Sequence, residues 1–128
     1  LGRIGDTIRR RGVNISSEQI DEEIMRYPDV LECGTIGVPS ALGEEDIHTC
    51  IVWRELPKDE DAAMEDLMGF RVERLPRKYV PRYIEPMKSL PRTGNGKVRK
   101  VELSDRAIYG RRFDREAGAW LDREQRER

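Results

Sequence analysis

Ile47-His48-Thr49-Cys50-Ile51-Val52-Trp53 is the stretch whose reading settles the architecture. Five of its seven residues are β-branched or aromatic, the types that fit a pleated surface, so it predicts a strand. Upstream, residues 30–38 alternate Leu31, Cys33 and Thr35 against Glu32, Gly34 and Ile36 and predict a second strand, with Pro39-Ser40-Ala41-Leu42-Gly43 as the loop between. Downstream, after the turn Leu56-Pro57-Lys58-Asp59, Ala63, Leu67, Phe70 and Leu75 recur at helical spacing and predict a helix over 61–75. Pro76 and Pro81 bracket a basic turn, and residues 83–87 predict a third, short strand limited by Pro86.

Towards the start, residues 7–15 read as a β-hairpin with Gly12 near its tip. Ser16 or Ser17 then caps a helix over about 17–27, marked by Ile20, Ile24 and Tyr27 and stopped by Pro28. Towards the end, residues 90–100 form a Gly-rich loop and 101–107 begin a helix broken by Gly110. Residues 113–126 predict a charged helix with Phe113, Ala117, Trp120 and Leu121 on one face. The expected fold is α+β: a small three-stranded sheet flanked by helices, preceded by a short β-hairpin, with a C-terminal helical tail.

The 128 residues suit one compact domain, and 37% hydrophobic content argues against wholesale disorder. No apolar run approaches a membrane span and no signal peptide is visible. Cys33 and Cys50 fit neither a disulfide scaffold nor a zinc site, so a reduced, cytoplasmic setting is expected. The net charge of −1 hides segregation: residues 18–66 carry fifteen acids and three bases, whereas 71–103 carry ten bases and three acids. That basic stretch suits phosphate, a carboxylate ligand, or the acidic part of the same domain. Arginine outnumbers lysine 19 to 5, which suits either planar anion recognition or plain compositional bias.

The chemistry-bearing candidate is Leu90-Pro91-Arg92-Thr93-Gly94-Asn95-Gly96-Lys97-Val98-Arg99-Lys100. Gly94 and Gly96 let the backbone turn sharply, and Lys97 projects from the tip as a point charge for an anion. It lacks the Gly spacing and the Ser or Thr of a phosphate-cradling loop, and a solvent-exposed turn with an incidental lysine is the plain alternative. Arg9-Arg10-Arg11-Gly12-Val13-Asn14 is a cationic hairpin, or equally a charged edge strand that resists aggregation. Arg74, Arg77, Lys78 and Arg82 can receive phosphate or complement a helix C-terminus. His48, the only histidine, has no nucleophile nearby in sequence and reads as a surface or packing residue.

In order and spacing these pieces resemble one family. Gly2-Arg3, Ile8, Gly12 and Ile15, then Glu18-Gln19-Ile20-Asp21, resemble the start of the C-terminal domain of the adenylate-forming acyl-CoA synthetase superfamily. Gly37-Val38-Pro39-Ser40 with Gly43-Glu44 resembles its strand-and-loop signature, and Lys78-Tyr79-Val80-Pro81-Arg82-Tyr83 with Leu90-Pro91-Arg92-Thr93 and Gly96-Lys97-Val98 its terminal lysine motif. The likeness covers about residues 1–103. Gly12-Val13-Asn14, the Val38-Pro39-Ser40 loop and Phe113-Asp114-Arg115-Glu116 look most like crotonobetaine/carnitine-CoA ligase-type enzymes.

The resemblance implies an ATP-dependent carboxylic acid–CoA ligase. The acid attacks the α-phosphate of ATP to give acyl-AMP and pyrophosphate, and the thiol of coenzyme A then displaces AMP. A large N-terminal domain would supply most of the ATP, Mg2+ and acyl sites, while this small domain swings between two poses. Lys97 would be the adenylation lysine, with Gly96 beside it, and Arg3 would hold the ribose hydroxyls. Gly12, Val13 and Asn14 would line the pantetheine tunnel, and Arg74, Arg77, Lys78 and Arg82 would meet the phosphates of CoA. Gly5 and Asp6 would lie at the hinge, about residues 3–6, of a domain spanning 1–103 that is followed by the tail 104–128. Two departures stand out: Gly5 replaces the family's usual charged pivot, and Asn14 stands where Arg is common. The chain is expected to be one domain of a longer enzyme and inactive alone. The competing readings are the same domain of a peptide-synthetase adenylation module, which hands the acyl group to a carrier protein, and a freestanding binding module. No nucleic-acid motif accompanies the basic stretch, so no nucleic-acid partner is expected.

Overall fold

The computed structural model describes residues 7–10, 12–40, 43–70, 74–107 and 111–121. Strands β1 (Thr7–Arg10) and β2 (Val13–Ser16) pair as an antiparallel hairpin, with Ile8 opposite Ile15 and Arg9 opposite Asn14. The turn passes through Gly12 at φ +76, a left-handed conformation that favours glycine. Helix α1 (Ser17–Ile24) follows directly and buries Ile20 and Ile24. The expected helix to 27 thus ends three residues sooner, with Met25–Tyr27 forming the turn that delivers Tyr27 to the core.

Strands β3 (Val30–Pro39) and β4 (Glu45–Trp53) are antiparallel, and β4 pairs in parallel with β5 (Tyr83–Pro86). A parallel pair needs a crossover, and helix α2 (Glu60–Phe70) lies on it. This helix is described as far as Phe70, residues 71–73 lie outside the described residues, Leu75 is not helical, and Arg77–Tyr79 form a 3-10 turn before β5. Helix α3 (Lys100–Ala107) follows the Gly-rich loop.

Strand β4 alternates sharply. Ile47, Ile51 and Trp53 join a cluster with Ile8, Ile15, Ile20, Ile24, Met64 and Leu67, so the hairpin, α1 and α2 cover that face. Cys50 and Val52 join Ile36, Val38, Leu90 and Leu103, so α3 and the start of the lysine loop cover the other. Cys33 and Cys50 are both buried and neither is in a disulfide.

The expected α+β class, the leading hairpin and the three central strands are all present. The helical tail is not. Residues 112–121 form a second hairpin, β6 (Arg112–Asp114) and β7 (Ala119–Leu121), which extends the sheet to five strands in the order β3-β4-β5-β6-β7. Phe113 and Trp120, which suggested a helical face, instead pair across the hairpin with ring centroids 5.4 Å apart in an edge-on contact. Asp114 accepts the backbone N–H groups of Glu116 and Ala117, and Gly118 turns the chain at φ +64. The expected boundary at 103–104 falls inside α3. Residues 122–126 of the expected helix lie outside the described residues.

The loop and α3 seat on β3 at Gly34, where an added Cβ would come within 3.0 Å of Leu103 Cδ2 and 3.1 Å of Val98 Cγ1. Gly34→Ala is therefore expected to cost about 1–3 kcal/mol through overpacking, read as a lowered denaturation midpoint in urea with an unchanged slope.

Candidate functional site

The lysine loop is a tight turn closed by the Arg92–Val98 bridge. Thr93 organises it: its N–H donates to Lys97 O (2.7 Å), its carbonyl accepts from Gly96 N (2.9 Å), and its hydroxyl accepts from the N–H groups of Asn95 and Lys97 (3.3 Å each). Gly96 supplies φ +81. The Arg92 guanidinium spans the base of the loop, donating to Gly96 O and pairing with Glu32 at 2.6 Å. The Lys97 side chain is exposed, and among the described residues no carboxylate pairs with it. It borders a surface hollow of about 560 Å³ that also exposes Met25, Leu31 and Val101.

Beneath the loop, Lys100 Nζ donates to Ser17 Oγ (2.7 Å) and pairs with Asp21 (2.9 Å), tying α3 to α1. Burial raises the Asp21 pKa despite the opposing pull of Lys100. Burial, reinforced by Asp21, raises that of the Cys33 thiol.

Gly12, Val13 and Asn14 occupy the tip of the β1–β2 hairpin, all exposed. The outer edge of β1 and the hairpin turn have backbone donors that β2 cannot reach. Two carboxylates from the start of β4 and the loop before it take them: Glu45 Oε1 accepts from Arg9 N (3.0 Å) and Glu44 Oε2 from Gly12 N (3.3 Å). The Arg9 guanidinium donates across the hairpin to Asn14 Oδ1 (3.1 Å). Gly37 makes room for this brace, since a Cβ there would lie 2.3 Å from Glu45 Oε2. Local sequence reading missed Glu44 and Glu45 as bracing groups because they lie 32 and 36 residues from their partners.

The basic cluster does not act as one. Arg82 is a structural clamp. It grips Asp114 through Nε and Nη2 (3.2 and 3.3 Å), reaches Asp46 through Nη1 (3.3 Å), and contacts Glu116 (3.2 Å). Burial alone would lower its pKa, but hydrogen bonding to Asp114 and the nearby carboxylates raise it overall. Arg74 lines a separate shallow hollow with Glu22, Glu23 and Tyr79. Arg77 and Lys78 line a third hollow, of about 500 Å³, together with Arg10 and Arg115, which the sequence reading did not assign. Lys97 and the hairpin residue Val13 border different hollows and are not brought together. Arg3, Gly5 and Asp6 lie outside the described residues.

His48 is fully buried, with Nε2 3.1 Å from Glu85 Oε1 and Nδ1 3.3 Å from Arg112 Nη1, so it is a packing residue. Among the described residues no three His, Cys, Asp or Glu side chains converge on a metal position, and no helix is long and apolar enough to cross a membrane.

Residues 19–97 match the AMP-binding enzyme C-terminal domain, and the chain belongs to this family. It is 34% identical over 106 residues to a sulfoacetate–CoA ligase of Cupriavidus necator, covering 83% of this chain and 20% of that one. It is 31% identical over 112 residues to triostin synthetase I of Streptomyces triostinicus, covering 88% and 21%. Its fold matches that of ATP-bound MatB from Rhodopseudomonas palustris with a TM-score of 0.68 at 27% identity, over 83% of this chain and 20% of that one. The chain thus spans about a fifth of the length of these relatives.

Two substitutions probe the geometry. Arg82→Ala is expected to lower stability by about 1–3 kcal/mol by leaving Asp114 and Asp46 without their guanidinium, measured by chemical denaturation. Glu45→Ala is expected to speed hydrogen exchange at the Arg9 amide by about tenfold, and Glu45→Gln to recover most of that protection because its carbonyl still accepts.

Proposed function

We propose that this chain is the mobile C-terminal domain of an ATP-dependent carboxylic acid–CoA ligase. The observation that carries the reading is Lys97. Its ammonium is exposed at the end of a turn that Thr93, Arg92 and Gly96 hold rigid, with no internal carboxylate to neutralise it among the described residues. Such a charge is preorganised for an anion brought by another surface. The partner is the large N-terminal domain of the same protein, which carries most of the ATP, Mg2+ and acid sites. In the first half-reaction Lys97 bridges the substrate carboxylate and the α-phosphate, holding together two anions that repel. Arg3 meets the ribose there, and Gly5 and Asp6 lie at the hinge.

In the second half-reaction the opposite side of the domain is used. The exposed Gly12, Val13 and Asn14 line the path of the pantetheine arm, and Arg77 and Lys78 meet CoA phosphate. Arg82 does not join them, because its charge is taken by Asp114, Asp46 and Glu116. Arg74, in another hollow, is left out as well. The subfamily is read as crotonobetaine/carnitine-CoA ligase-type, the substrate as a carboxylic acid whose class stays open among short-chain, aromatic, carnitine-like and fatty acids, and the setting as cytoplasmic. Transfer to a carrier-protein thiol, as in a peptide-synthetase module, is the second reading. The similarity to triostin synthetase I keeps it in view.

The test uses the full-length protein that carries this chain, with CoA- and ATP-dependent AMP release measured over a panel of carboxylic acids. Lys97→Ala is expected to lower the adenylation rate by about 10²–10³-fold. An unchanged rate would reduce the loop to a structural turn, and AMP release that needs no CoA would redirect the reading to a carrier protein.

A further inference from the structure

The β1–β2 hairpin is held at two points from outside itself. Glu45, the first residue of β4, accepts through Oε1 from Arg9 N (3.0 Å), and Glu44 accepts through Oε2 from Gly12 N (3.3 Å). One contact falls on the strand that leads into the turn and the other on the turn itself. Two attachment points fix a direction where one would leave a pivot. Arg9 passes the constraint on: it faces Asn14 in the hairpin register, and its Nη1 donates to Asn14 Oδ1 (3.1 Å). A carboxamide whose oxygen is engaged in this way presents its NH2 donors. The root of the brace is firm, because Asp46, next in the chain, is held by Arg82. All three contacts are exposed, so they add little to stability, and the hairpin is anchored in the core separately by Ile8 and Ile15. What the contacts do set is where the tip stands.

We propose that Glu45 and Glu44 are positioning residues for thioester formation. They touch no substrate; they hold Gly12, Val13 and Asn14 in the pose that receives the thiol arm, and Arg9 relays the constraint to the Asn14 amide. The proposal rests on the acid–CoA ligase reading above. Its effect is confined to the second half-reaction. Lys97 stands on the other cover of the sheet, in a loop closed by its own Thr93 and Arg92 contacts, so loss of the brace leaves that lysine in place. Gly37 offers a second way to reach the same contact. A Cβ added there would lie 2.6 Å from Glu45 Cδ. The atoms it meets are the far end of a flexible side chain, so the carboxylate swings aside while the strand keeps its place.

The experiment measures acid-dependent ATP–pyrophosphate exchange and CoA-dependent acyl-CoA formation in the full-length protein. It compares wild type with Glu45→Ala, Glu45→Gln, Gly37→Ala and the Gly37→Ala, Glu45→Ala double variant. A misplaced reacting group can cost up to about 10²-fold, and Glu45→Ala is expected to lower kcat for acyl-CoA formation about tenfold more than it lowers the exchange. Glu45→Gln is expected to recover most of that loss, because its carbonyl still accepts from Arg9 N. Gly37→Ala is expected to reproduce the loss, and to add nothing in the Glu45→Ala background, since both act through one contact. Equal losses in the two half-reactions, as a merely structural role would give, overturn the proposal. So does an unmoved ratio, a Gln variant as impaired as the Ala variant, or additive effects of Gly37→Ala and Glu45→Ala. In each of those cases the wild-type exchange still supports the ligase reading, and its absence in the wild type overturns both.

Discussion

Strand β4 has no residue fully open to solvent, and from Asp46 to Trp53 every position is buried. A strand buried on both faces must be covered twice, and the rest of the domain follows from that requirement. One cover is the β1–β2 hairpin with α1 and α2; the other is α3 with Leu90 and Val98 at the two ends of the lysine loop. The hairpin tip and Lys97 therefore arise from opposite covers of one sheet. Under the proposed function, a single partner site would meet these two loops one at a time, and only by a turn of the domain.

The two loops are anchored differently. The lysine loop is self-contained: Thr93 and Gly96 close it, and Arg92 crosses its base to Glu32. The hairpin depends on outside help from Glu44 and Glu45, whose contacts are exposed and so modest in strength. Gly37 is as much a part of that brace as the carboxylates, because only a residue without Cβ leaves Glu45 its place.

Local pattern was enough for what local chemistry determines. The β-branched run 47–53, the Gly12 hairpin, Ile20 and Ile24 on α1, and the glycines around Lys97 each carry their own conformational reason. The arrangement of the basic cluster was not legible, because proximity in sequence does not say where side chains point. Arg82 turns towards Asp46 and Asp114, 36 and 32 residues away, while Arg115 arrives from another hairpin to join Arg77 and Lys78. The tail was misjudged for a different reason. Phe113 and Trp120 are seven apart, which places them on one helix face and equally opposite each other across a four-residue turn. The deciding signals were Asp114 and Gly118, an acceptor for turn N–H groups and a residue suited to positive φ.

The second hairpin is part of the fold's electrostatics rather than an addition to it. Asp46, Glu85 and His48 are buried in β4 and β5, and burial of charge is costly without partners. Glu85 and His48 pair with each other and Arg82 holds Asp46, and strand β6 adds Arg112 and Asp114 to this network. Arg112 reaches His48 and lies over the Tyr83 ring at 3.6 Å, and Asp114 completes the clamp in which Arg82 also holds Asp46. Without β6, β5 would be an edge strand carrying buried ionisable groups that lack these contacts. The polar interior of the sheet and the hairpin that neutralises it thus belong together. Arg115, set in the turn of that same hairpin, owes its place at the basic hollow to charge pairing in the core.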